Sequence, residues 1–252
     1  MKMRKSILLW GMIGMTLILT SCLEEGTRNY EETSVAYIAA DNATGRIYGR
    51  TLSGRLITST QMRLMFPGTF QFFRYSWTEE QGTTSLSVGT SSTEVVTADN
   101  VIISGEAVEI SRVSLRIDQQ PPVVETPAKF VGVDPPFYAG DQIYLGDHWL
   151  FQYAYEAKKG EYAVVNFYHT EDPDATDNEI TIVMDLTIEG TPEGTTVSTK
   201  TDLVALDMSS LRDMYEGTST TATKDLKIKF KYYLKGSDQM VISQVYRMTV
   251  KG

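Results

Sequence analysis

The chain is poor in side chains that do covalent chemistry. His148 and His169 are its only histidines, and Cys22 is its only cysteine. Zinc-type sites need such residues to converge with carboxylates. Asp147 beside His148 and Glu171 two residues after His169 supply carboxylates, but at no diagnostic spacing, and strand-end histidines explain the same residues. A Ser–His–Asp set would need one of these imidazoles as base, and no Gly-x-Ser-x-Gly turn exists to present a serine. Neither Gly-x-Gly-x-x-Gly nor a P-loop occurs, so no backbone cradle for phosphates is expected. The acidic run Glu171–Glu179 offers oxygen ligands suited to Ca²⁺. Counted from Asp172, however, the sixth position is Asp177 rather than glycine and the twelfth is Val183, so the run reads as a solvated hairpin loop. Two of the 32 acids could converge as glycosidase carboxylates, but no motif singles out a pair. The expectation is a chain with no catalytic residues, no metal and no cofactor.

Aromatic residues carry the best hint of binding. Trp149, Phe151, Tyr153 and Tyr155 share one parity of a run, as do Phe73, Tyr75 and Trp77. Rings two residues apart line one face of a strand, where they either fill a core or stack on sugar faces. The core reading is favoured, and Trp149, Tyr153 and Tyr155 stand as the candidate ligand-binding aromatics. Lysines do not interleave with them, as they would in a single-strand nucleic-acid groove. Lys227, Lys229 and Lys231 share one parity of another run. They could be taken for an anion site, but they read better as outward charges guarding a sheet edge.

The N-terminus explains the lone cysteine. Met1–Lys5 is cationic, and Ser6–Leu19 is apolar but short of the roughly 20 residues a spanning helix needs. Leu19-Thr20-Ser21-Cys22 follows and resembles a lipobox. The resemblance implies that residues 1–21 are a signal peptide and that Cys22 becomes a lipid-bearing N-terminus after cleavage. Two or three acyl chains hold a protein on a bilayer stably. Leu23-Glu24-Glu25 comes next and resembles a surface-export signal, although an acidic pair also suits a plain linker. The expected partner is therefore outer-membrane lipid, reached through acylated Cys22, with the body facing the cell exterior.

Removing residues 1–21 takes away Lys2, Arg4 and Lys5 and no acid. The remaining 20 basic and 32 acidic side chains give a net charge of −12. That field repels phosphate backbones and argues against nucleic acid as a partner.

Glu24–Ser34 is polar and reads as a flexible tether, 22–34 in all. From Val35 the chain alternates in short runs broken by Gly, Asn, Asp and Pro, the pattern of an all-β sandwich or barrel. Arg46–Leu52 and Arg55–Thr58 flank a turn at Ser53-Gly54, and Asp99-Asn100 reads as another turn. Ala107–Ile117 slips in phase, as a β-bulge near Arg112 would produce. Five of the eight prolines fall in Gln119–Pro136, which reads as a linker between domains at 35–118 and 137–252. Trp149–Tyr155, Tyr162–His169, Ile180–Ile188, Val197–Ala205, Leu226–Tyr232 and Met240–Val250 read as strands. Asp207–Glu216 is the one short helix, with Asp207 or Ser209 able to cap it.

Together the lipobox, Gly45–Ile57, Gly105–Arg116, the aromatic pair Gly146–His169, Leu206–Leu211 and Lys227–Tyr233 resemble the NigD-like lipoproteins. That resemblance implies a small N-terminal OB-like barrel followed by a C-terminal antiparallel β-sandwich. It carries no catalytic residues. The function expected is a non-catalytic envelope lipoprotein that binds a protein or glycan partner. The alternatives are a structural subunit of a surface assembly and a carbohydrate-active hydrolase.

Overall fold

The computed structural model describes residues 28–88, 94–139, 142–169, 178–218 and 222–252. The predicted signal peptide 1–21, the lipobox residues Leu19, Thr20 and Ser21, Cys22, and Glu171–Asp177 of the acidic run lie outside the described residues. The described residues form two compact units, divided between Val108 and Glu109.

Seven strands build the first unit. They are β1 (Asn29–Ala40), β2 (Ile47–Thr51), β3 (Leu56–Thr58), β4 (Phe70–Thr78), β5 (Thr83–Val88), β6 (Glu94–Asn100) and β7 (Ile102–Ser114), which runs on into the second unit. Their order is β5-β6-β3-β2-β1-β4-β7. Strand periodicity places Ala36 and Ile38 in a cluster with Ile57, Met62, Phe73 and Tyr75, while Ala39 joins Tyr48, Leu86 and Val88 in another. A barrel encloses one interior. Here two apolar clusters take alternate residues of the same strands, and among the described strands no pair joins β5 to β7. The sheet stays open, and the implied OB-like barrel does not close.

Part of the predicted tether is ordered. Asn29–Ser34 belongs to β1 and pairs residue by residue with Thr78–Phe73 of β4. Its support comes from across the sheet. Tyr30 stacks on Trp77 with ring centroids 5.3 Å apart, Glu31 pairs with Arg74, and Glu32 accepts the Tyr75 hydroxyl at 2.7 Å. Burial and the neighbouring Glu32 carboxylate both push the Tyr75 phenol upward in pKa. The turn at Ser53-Gly54 forms as a three-residue loop, closed by Thr51 N–H donating to the Arg55 carbonyl, with Gly54 at φ +89°. Asp99-Asn100 is strand, not turn, because Asp99 and Asn100 pair with Ile57 and Thr58.

Asp41 organises the β1–β2 connection. Its carboxylate accepts Ala43 N–H at 2.9 Å, Thr44 N–H at 2.6 Å, the Thr44 hydroxyl at 2.9 Å and Ser87 N–H at 2.6 Å. These donors, Ser87 first, lower its pKa from the ordinary 3.8.

The second unit is a sandwich. It adds β8 (Arg116–Ile117), β9 (Phe130–Val133), α1 (Gln142–Leu145), β10 (His148–Lys158), β11 (Glu161–His169), β12 (Glu179–Gly190), β13 (Val197–Asp207), α2 (Ser209–Tyr215), β14 (Thr223–Tyr233), β15 (Met240–Ile242) and β16 (Tyr246–Lys251). One sheet runs β7-β13-β10-β9; the other runs β15-β14-β12-β11-β8, with β16 also on β14. The two inner faces supply the core. Phe151, Tyr153 and Tyr155 of β10 meet Phe167 of β11, Ile180, Ile182, Met184 and Leu186 of β12, and Leu226, Ile228 and Phe230 of β14. The chain crosses between sheets at buried Leu115, between β7 and β8.

Several expectations change here. The sandwich is mixed rather than purely antiparallel, since β7·β13, β8·β11 and β12·β14 run parallel. The division between units falls at Val108/Glu109, inside β7, because the far half of that strand pairs with β13. The proline-rich stretch 119–136 therefore lies within the second unit, and Phe130 of β9 inserts into the core between Tyr153 and Tyr232. No bulge interrupts Ser111–Ser114 in its pairing with Val204–Asp207. The predicted helix is α2, and the Asp207 carboxylate accepts Ser209 N–H at 3.0 Å at its start. Lys227, Lys229 and Lys231 do not guard an edge. Their strand β14 is flanked by β12 and by β15 and β16, and Lys227 and Lys229 lie 3.8 and 3.6 Å from Glu179. Besides the strands that end each sheet, β13 has an open edge. Its Val197–Leu203 stretch pairs with β10 on one side and, among the described residues, with no strand on the other.

Two outcomes test this packing. A Cβ on Gly49 meets Met62, Ala36 and Ile57 at 3.0, 3.2 and 3.3 Å, whereas one on Gly132 meets open space. In urea unfolding, Gly49→Ala costs about 1–3 kcal/mol, and Gly132→Ala stays within about 0.5 kcal/mol of the parent. A lowered carboxyl pKa contributes stability above the unfolded value and loses it as pH falls through the folded one. Asp41→Asn is thus less stable than the parent at neutral pH, and acid titration of the two proteins narrows the gap below pH 3.8.

Candidate functional site

The predicted binding aromatics are core residues. Trp149, Tyr153 and Tyr155 are 3%, 4% and 4% exposed. Trp149 stacks on Tyr138 with centroids 4.2 Å apart, and Tyr153 meets Phe130 edge to face. Burial raises the pKa of the Tyr153 and Tyr155 phenols. The parity that could have made a sugar platform instead points between the sheets, where β12 and β14 cover it. Phe73 and Tyr75 are buried as well, and Trp77 is half-buried with Tyr30 stacked on it and the Arg55 guanidinium 4.1 Å from its ring centre.

His148 and His169 lie in opposite sheets, one starting β10 and the other ending β11. Both are buried. His148 Nδ1 is 2.9 Å from the Leu145 carbonyl and His169 Nδ1 is 3.3 Å from the Thr181 carbonyl. Among the described residues no three His, Cys, Asp or Glu side chains gather as a metal site requires.

The polar constellation that sequence reasoning missed lies where α2, β16 and the start of β10 meet. Gly146 and Asp147 adopt φ of +58° and +62° and turn the chain from α1 into β10. Aspartate tolerates this left-handed region better than most residues. The turn presents the Asp147 carboxylate to Arg212 of α2, whose Nε lies 2.9 and 2.8 Å from its two oxygens. Arg212 Nη1 donates to the Thr249 carbonyl of β16 at 2.7 Å, and Met208 N–H donates to the Asp147 carbonyl at 2.9 Å. One buried guanidinium therefore ties the helix, the turn and the last strand together. The partners are 65 residues apart, and no local pattern announces them.

A cleft opens beside this clamp, bounded by Tyr138, Asp147, His148, Trp149, Arg212 and Arg247. Its volume is about 40 Å³, enough for a few waters. Sites that enclose small ligands run to roughly 300–1,000 Å³. The charged groups at its floor are engaged with one another. The arrangement fits a structural brace better than a binding centre.

No family model matches the chain, and no curated protein matches its sequence. Solved structures share its fold. An uncharacterised protein from Parabacteroides merdae is similar at a TM-score of 0.52 and 9% identity, over 88% of this chain and 100% of that one. A protein of unknown function from Bacteroides vulgatus is similar at a TM-score of 0.51 and 12% identity, over 86% and 90%. A NigD-like immunity protein is among the fold neighbours. It comes from Bacteroides caccae, with a TM-score of 0.46, 13% identity and coverage of 84% and 90%. At such identities the agreement is one of fold.

Removing one partner of a buried ion pair strands the other charge. Asp147→Ala and Arg212→Ala are each expected to cost about 3 kcal/mol in chemical denaturation. The double replacement Asp147→Ala with Arg212→Ala costs less than the sum of the two, and the double-mutant cycle reads the coupling.

Proposed function

We propose that the protein is a non-catalytic lipoprotein of the cell envelope, anchored in the outer membrane by acylated Cys22, displayed outward, and acting by binding a protein or glycan partner. The carrying observation is that the polar residues nearest a cleft are consumed in bracing the fold around a space of about 40 Å³. With the sandwich interior packed by aromatic rings, the outer surface is what the protein offers a partner. The cationic start, the apolar run and Leu19-Thr20-Ser21-Cys22 support the anchor, and Glu24-Glu25 supports outward display.

The test is labelled palmitate incorporation and cell fractionation of the full chain against Cys22→Ala, with protease added to intact cells. The expected outcome is label and membrane association in the parent only, with the body digested from outside. An unlabelled parent, or one that resists protease until cells are broken, overturns the anchor or the orientation respectively. Turnover of a polysaccharide by the purified protein overturns the non-catalytic reading.

A second reading, a subunit of a surface assembly, draws on the open edge of β13. Leu203 N–H bonds its own neighbour's carboxylate, Asp202 Oδ1, at 2.8 Å, so it faces away from β10. Thr201, two residues earlier, faces the same way. Thr201→Pro removes an outward donor without touching the β10 ladder. Under this reading it abolishes assembly, followed by light scattering, and leaves monomer stability intact.

A further inference from the structure

The first unit holds two large apolar side chains in solvent on a pinned support. After β3, residues Thr60–Leu64 form a short 3-10 turn whose start is capped by the Ser59 hydroxyl, which accepts Gln61 N–H. Gln61 clamps this turn to β7 twice, donating from Nε2 to the Ile103 carbonyl at 2.9 Å and accepting Ile103 N–H at 2.8 Å. Met62 is fully buried beneath it, and Met65 packs on the same cluster. The return is fixed by Gly68 N–H to the Ile38 carbonyl and Ile38 N–H to the Thr69 carbonyl, both 2.8 Å, with Pro67 stiffening the tip. On this frame Leu64 is 89% exposed and Phe66 74% exposed.

From Asn42 to Thr78 the sequence has no acidic residue; of its arginines, Arg50 is buried, Arg55 pairs with Asp99 and Arg74 pairs with Glu31. Arg63 is exposed at the tip and, among the described residues, joins no ion pair. Apolar side chains beside an exposed cation that joins no ion pair suit the interface of an anionic bilayer. The covalent path limits where such a bilayer lies. Six residues lie between Cys22 and Asn29, the first residue of β1, making seven Cα-to-Cα steps. They reach no more than about 25 Å. Ile38, which holds the knuckle, lies roughly 30 Å along β1 from Asn29 at the usual strand rise. With β1 lying along the membrane, the lipid attachment and the knuckle meet the same surface.

We propose that the Leu64–Phe66–Pro67 knuckle, with Arg63, inserts into the interface of the bilayer that holds acylated Cys22, giving the first unit a second membrane contact. This rests on the lipoprotein reading above. Because Cys22 is the only cysteine, acylation leaves no free thiol, and Leu64→Cys or Ser198→Cys on exposed β13 then carries a single bimane label. The acylated full-length proteins are reconstituted in vesicles of phosphatidylethanolamine and phosphatidylglycerol and floated on a density gradient. The expected result is a blue-shifted emission at position 64, quenched by nitroxide lipid, with the label at 198 remaining aqueous. Position 64 staying aqueous in a protein that floats overturns the proposal and points to a protein partner for the knuckle. Equal quenching at both positions overturns it as a specific contact. A titratable thiol at Cys22 in a protein that does not float overturns the anchor itself, and this proposal with it.

Discussion

Phe230 occupies the place where the two sheets of the second unit meet. Its ring lies 4.8 Å from Phe151, 5.9 Å from Tyr246, 6.0 Å from Trp149 and 6.5 Å from Phe167, centroid to centroid. Rings in edge-to-face and tilted contact fill an interlayer space densely and fix which face of each strand turns inward. Once the odd positions of β10 are committed to that cluster, Trp149, Tyr153 and Tyr155 cannot also present rings to a ligand. Any binding by this unit is thereby left to its perimeter: the β13 edge, the outer sheet faces and the loops.

The Arg212 brace follows from the same constraint. A sandwich packed between its sheets still has open ends, where strands stop and backbone groups lack ladder partners. At one end α2 and the Gly146–Asp147 turn close the gap, and a guanidinium is well suited to do it. It offers several donors in a fixed plane, so one residue satisfies a carboxylate and a carbonyl on different elements. A buried charge cluster of this kind resembles an active site in composition. What separates the two is that each charge here already has a fixed partner.

Much of the second unit is legible in the sequence because its signals are local. Ile180, Ile182, Met184 and Leu186 alternate and are buried; Leu226, Ile228 and Phe230 do the same; Asp207 marks the start of α2. The misreadings share a cause, which is support from distant residues. Asn29–Ser34 looks like tether because its polar side chains are satisfied by Trp77, Arg74 and Tyr75 across the sheet. Phe130 looks like linker because prolines surround it, yet one large ring is enough to dock an edge strand. The phase slip in Ala107–Ile117 is a true signal with another meaning: the strand passes there from one unit to the other. The Asp147–Arg212 pair and the exposed pair Leu64 and Phe66 carry no periodicity at all, since the first spans the chain and the second is defined by what fails to cover it.

The ordering of β1 from Asn29 onward has a mechanical consequence. Any pull transmitted through the N-terminal segment enters the protein along that strand, which is hydrogen-bonded to β4 over Asn29–Tyr37 and to β2 over Ala36–Ala40. Tension along the strand axis loads these ladders in shear, so many bonds must yield at once instead of parting one after another. The fold is thus gripped so that tension from that end meets two ladders together, and it holds against a load that peels apart a hairpin pulled from its open end.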